Sequence, residues 1–97
     1  MAPSNSPRAL GTLLKDVISS MGIESRLENA RVLAAWEDIA GERIGREVER
    51  AWMRGRKLHV RIRSSVWRQE LHLNRSVWFA RLNSELGTQR VEEIIFQ

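Results

Sequence analysis

The side chains with most chemistry to offer in this sequence are cations. Between Arg50 and Arg81 stand Arg50, Arg54, Arg56, Lys57, Arg61, Arg63, Arg68, Arg75 and Arg81 against the single acid Glu70, a balance of +8, whereas the segments on either side each come to −2. Fourteen of the sixteen basic residues are arginine, whose planar guanidinium grips phosphate through two parallel hydrogen bonds. Such a stretch inside a protein of net charge +4 points to an anionic partner, nucleic acid above all; the plainer alternative is a solvated arginine-rich surface. Trp52 lies among these cations. A flat ring there suits the stacking of an unpaired base, and its competing use is packing beneath the first helix or a partner subunit.

Other chemistries find little support. The chain has no cysteine, so thiolate catalysis, disulfides and cysteine-ligated metals are excluded. His59 and His72 stand thirteen residues apart; His59 has no orienting carboxylate near it in sequence, and both read as a polar contact or a pH-sensitive charge rather than a base or ligand. There is no Gly-rich phosphate loop followed by Lys-Ser, no GxSxG elbow and no HExxH pair. Glu37 and Asp38 are adjacent and diverge by about 100° on a helix, so they form a solvated acidic face. The expectation is a non-enzymatic protein with no metal, cofactor or small-molecule substrate. No run of eighteen apolar residues occurs and MAPSNSPRAL lacks an apolar signal core, which predicts a soluble, cytoplasmic protein with no membrane partner.

The elements that must position the cations follow from hydrophobic spacing. Ninety-seven residues allow one domain, here 10–97 behind a disordered lead-in at 1–9. Leu10, Leu13, Leu14, Val17, Ile18 and Met21 recur at helical spacing and stop at Gly22, a left-handed cap. Ser25 and Glu28 read as a capping box opening a second helix that buries Val32, Leu33, Trp36, Ile39 and Ala40 and ends at Gly41; residues 41–45 form a loop or an extra turn. Leu58, Val60 and Ile62 alternate with Lys57, His59, Arg61 and Arg63, the period of a half-buried strand. A turn at Gly55-Arg56 then pairs 48–54 with 57–63. Met53 faces Leu58 and Ala51 faces Val60 on the core side; Arg54 faces Lys57, Trp52 faces His59 and Arg50 faces Arg61 on the other, and only Glu49 opposite Ile62 fits poorly. The like-charged pairs destabilise the hairpin, and a bound polyanion would relieve them.

Ser64 and Ser65 cap a third helix running to Leu86 and ended by Gly87, with Trp67, Leu71, Trp78 and Leu82 on one stripe. A second stripe of Val66, Leu73, Val77 and Ala80 means that this helix is either buried on two sides or broken near Asn74. Arg68, His72, Arg75 and Phe79 fall within about 60° on it and suggest a protein contact, against a single stray exposed aromatic. Val91–Phe96 closes the chain as a strand. The predicted fold is α+β, in the order α-α-β-β-α-β, with helices on a three-stranded sheet.

The chain resembles the DciA family, bacterial loaders or operators of the replicative DNA helicase, in its short single-domain form. The matching residues are Trp36 followed by Ile39-Ala40-Gly41, the strand Leu58-His59-Val60, Ser64-Ser65-Val66-Trp67, Glu70-Leu71, Leu82-Asn83 with Gly87, and Ile94-Ile95-Phe96, in order over roughly residues 10–96. The resemblance implies a KH-like fold, binding of the replicative helicase hexamer and of single-stranded or forked DNA, and no ATPase activity. The Gly-x-x-Gly loop of a true KH domain is missing, and so is the basic tail of longer relatives. DNA contact is therefore expected to fall to the hairpin, through Arg50, Trp52, Arg54, Arg56, Lys57, His59, Arg61 and Arg63, and partner contact to Arg68, His72, Arg75 and Phe79. The function expected is an adaptor that helps load the helicase on single-stranded DNA. The alternatives are a KH-like RNA- or ribosome-associated module and a small structural protein whose arginine face meets an acidic protein.

Overall fold

The computed structural model describes residues 22–97. The lead-in at 1–9 and the helix expected at 10–21 lie outside the described residues. The elements are α1 (Ile23–Gly45), β1 (Val48–Arg54), β2 (Lys57–Ile62), α2 (Ser65–Leu73), α3 (Arg75–Leu86) and β3 (Glu93–Phe96). The class is α+β, and the helices and mixed three-stranded sheet match a KH-like arrangement.

Helix α1 begins two residues before the expected capping box. Gly22, left-handed at φ 73°, is its N-cap without a side-chain bond, and Arg26 N donates to Gly22 O at 3.1 Å. Ser25 and Glu28 therefore sit inside the first turns, where Glu28 instead meets Arg31 at 3.6 Å. A glycine can turn the chain into the helix from a conformation that other residues reach only at a cost, so no side-chain cap is needed. The far end behaves as the spacing predicts: Gly41, at φ 74° and ψ −176°, leaves the helical conformation, and 42–45 make the extra turn that carries buried Ile44.

The sheet order is β1-β2-β3, with β1–β2 antiparallel and β2–β3 parallel. Parallel pairing needs a crossover, which α2 and α3 provide. The hairpin register is the expected one from Arg50–Arg61 to Arg54–Lys57, and Gly55 turns the chain at φ 62°. The misfit at Glu49 is resolved by an irregularity between Val48 and Arg50: Val48 takes the place opposite Ile62, and Glu49 is the extra, exposed residue of a bulge.

The expected third helix is two helices. Asn74, at φ −100° and ψ 17°, ends α2 and starts α3, and its Nδ2 donates to Glu70 O at 2.9 Å. Ser64 caps α2 by accepting from Trp67 N at 3.3 Å, and left-handed Gly87 ends α3, as predicted. The break decides between the two readings of the double stripe. Leu71 and Leu82 are buried, while Val66, Leu73 and Val77 are 77%, 67% and 56% exposed.

One core unites these pieces. Val32, Ala35, Trp36, Ala40 and Ile44 of α1 meet Leu58, Val60 and Ile62 of β2, Leu71, Leu82, Val91, Ile94 and Phe96. Trp36 sits at its centre, 2% exposed, with its ring 5.7 Å from those of both Trp78 and Phe96, so it joins α1 to α3 and β3.

Candidate nucleic-acid interface

Alternation places the cations. With Leu58, Val60 and Ile62 turned into the core, Lys57, His59 and Arg61 must face away from it, and antiparallel pairing sets Arg54, Trp52 and Arg50 beside them. The outer face of the hairpin is thus three cross-strand rows: Arg50–Arg61, Trp52–His59 and Arg54–Lys57. β3 extends it with Glu93 beside Lys57 and Ile95 beside His59.

At the centre of this face four side chains are drawn together. The Trp52 and His59 rings stack with centroids 5.2 Å apart and planes 10° from parallel. The guanidinium carbons of Arg50 and Arg61 lie over the Trp52 ring, 5.0 and 5.4 Å from its centroid. Attraction between cation and ring face offsets the repulsion of two arginines set directly opposite each other. Among the described residues no carboxylate pairs with Arg50 or Arg61, and neither guanidinium makes a hydrogen bond there. His59 Nδ1 lies 3.1 Å from Gln97 Oε1, a partner from beyond the last strand that fixes the ring's orientation.

The turn end of the same hairpin is arranged differently. Arg56 meets Glu92 at 3.8 Å and donates through Nη2 to Gln89 O at 2.8 Å and through Nε to Arg90 O at 3.2 Å. Lys57 meets Glu93 at 3.9 Å. Both side chains thus tie the turn to the segment that leads into β3. Arg63, beyond the strand end, reaches Arg46 O at 3.5 Å, and Arg54 is exposed with no ion pair among the described residues. Of the eight residues proposed from sequence, four form the central cluster and three are engaged with the chain's own backbone or acids. Glu92 and Glu93 are the residues that sequence reasoning missed; the Arg54–Lys57 repulsion signalled a counterion, and the chain supplies one itself from the third strand.

The four residues read as one partner-binding face are split by the break at Asn74. Arg68 and His72 belong to α2, Arg75 and Phe79 to α3. Arg75 Nη1 folds back to His72 O at 3.0 Å and lies 3.4 Å from His72 Nε2, so these two remain neighbours. Phe79 is half-buried against the core rather than standing out from a continuous helix, and with Arg75 and Ser76 it lines a shallow cleft against Glu92–Ile94.

A model of the family described as "Dna[CI] antecedent, DciA" matches residues 9–96, nearly the whole chain. The chain belongs to the DciA family. Membership gives it a replication-related role of the helicase-loader kind, in a family of adaptors rather than catalysts. No curated protein matches the chain. The described residues of this DciA protein contain no helix long and apolar enough to cross a membrane. What the outer face can do as it stands is present to an anion two ring-held guanidiniums that are unpaired among the described residues.

Proposed function

We propose that this DciA-family protein is a non-enzymatic adaptor that binds the replicative DNA helicase hexamer and helps place it on single-stranded DNA. The observation that supports this most is the pair of guanidiniums, Arg50 and Arg61, which have no acid partner among the described residues on the sheet face of a member of a family with a replication role. DNA meets the hairpin through Arg50, Arg61, Arg54 and Arg63, with Trp52 and His59 between them. The helicase meets α2 and α3 around Arg68, His72, Arg75 and the exposed edge of Phe79. With no phosphate loop in its sequence, the protein contributes binding energy rather than nucleotide hydrolysis, and it favours the ring state that accepts DNA.

The test is association with the matched helicase, followed by unwinding of a fork in the presence and absence of the protein. Association and stimulated loading, both reduced in Arg75→Glu, are the expected outcome. A pair that neither associates nor changes unwinding at any ratio rejects the helicase role and moves the RNA- or ribosome-associated reading ahead. Association that Arg75→Glu leaves intact rejects only the surface.

A further inference from the structure

The Trp52 ring has its neighbours already. His59 stacks on it nearly parallel, and two guanidiniums lie over it at 5.0 and 5.4 Å. A nucleobase seeking that ring at van der Waals distance would have to displace one of these groups. The guanidiniums, in contrast, have spare capacity: each carries five N–H donors, and none is spent on a carboxylate or carbonyl among the described residues. An arginine lying on an aromatic ring keeps its N–H edge available, and that edge matches two oxygens of a phosphate. The cross-strand register holds the two guanidiniums on one side of the sheet, over one ring.

From this we infer that Arg50 and Arg61 form a clamp for the phosphodiester backbone of single-stranded DNA, and that Trp52 is a positioning residue for the clamp rather than a platform for a base. The inference rests on the reading of the hairpin as the DNA-contacting face and specifies how that face works. Its consequence is that recognition follows the backbone and does not depend on the bases. Trp52 acts by holding two mutually repelling cations in place, with His59 and Gln97 supporting the ring from the neighbouring strand and the chain end.

The experiment compares a labelled oligo-dT with an oligomer of equal length built from abasic phosphodiester units, binding each to the full chain by fluorescence anisotropy at fixed salt. A backbone clamp holds both within about threefold of each other, since their phosphates are equal in number. Arg50→Gln with Arg61→Gln weakens both by roughly tenfold or more, as charge-assisted hydrogen bonds to phosphate are lost. Trp52→Phe keeps a ring face for the guanidiniums and retains most of the binding. Trp52→Leu loses it for both oligomers alike. Thermal melts of each variant separate loss of binding from loss of fold, and Arg50→Lys with Arg61→Lys, which keeps the charge but not the planar fork, falls between wild type and the glutamine pair. Base stacking on Trp52 predicts a different pattern, oligo-dT ahead of the abasic strand by roughly 5- to 150-fold per stacked base, with Trp52→Leu removing only that advantage. That result overturns the clamp while leaving the hairpin as the DNA face. Binding of neither oligomer, or binding indifferent to all these variants, overturns the clamp together with the hairpin's assignment, whatever the helicase measurements give.

Discussion

The two ends of one hairpin face put the same kind of residue to different use. At the turn, Arg56 and Lys57 reach across to Glu92 and Glu93 and to the carbonyls of Gln89 and Arg90, so their charge is spent on fastening β3 to the hairpin. Two rows further along, Arg50 and Arg61 stand opposite each other with both guanidiniums over the Trp52 ring and no acid paired with them among the described residues. The first arrangement is what a fold needs, and the second is costly unless something else uses it. Charge density along a sequence therefore overstates an interface, because it counts structural and available cations alike. The tryptophans repeat the lesson: Trp36 is sealed in the core, whereas Trp52 lies on the opposite side of the sheet among cations.

Substitutions that separate the two sides of the sheet have the largest expected effect. Trp36→Ala empties the centre of the core and should cost about 3–5 kcal/mol, measured by urea or thermal unfolding. Trp52→Ala should cost about 1 kcal/mol, the scale of its cation–π contacts. Equal losses at the two positions would mean that the outer face is part of the core. Next in size comes the fastening at the turn. Arg56→Ala removes an exposed ion pair and two hydrogen bonds to backbone and should destabilise by about 1 kcal/mol without changing the salt dependence of DNA binding. The smallest effect belongs to Lys57 and Glu93, both about half exposed. A double-mutant cycle on this pair should give a coupling of about 0–1 kcal/mol that shrinks as salt is added. A larger, salt-insensitive coupling would place the pair in a drier setting than the sheet edge.

The hairpin was legible because period-two burial and a glycine turn leave one register that keeps Leu58, Val60 and Ile62 inside. The poor fit of Glu49 opposite Ile62 was also visible, although the bulge that resolves it was not. Helix ends that depend on glycine or serine geometry, at Gly41, Ser64 and Gly87, were also readable. The start of α1 was not, because a left-handed glycine and a serine capping box compete three residues apart and local sequence does not rank them. The spent cations were hidden for a different reason. Arg56 and Glu92 are far apart in the chain, and they meet only because β3 returns parallel to β2 after two helices. The four residues read as one face, Arg68, His72, Arg75 and Phe79, are divided between two helices at Asn74, and Phe79 packs partly against the core, which helical spacing alone does not show.

The division of the hairpin's charge is tested most directly by the salt dependence of single-stranded DNA binding. The slope of log Kobs against log salt counts the phosphates neutralised, at about 0.7 per phosphate on a single strand. For Arg50→Gln with Arg61→Gln the account predicts a slope shallower by about 1.4 than that of wild type, two phosphates' worth. For Arg56→Gln with Lys57→Gln, which removes the same formal charge, it predicts the wild-type slope. Equal reductions in the two double variants, or a larger one at the turn, would contradict it.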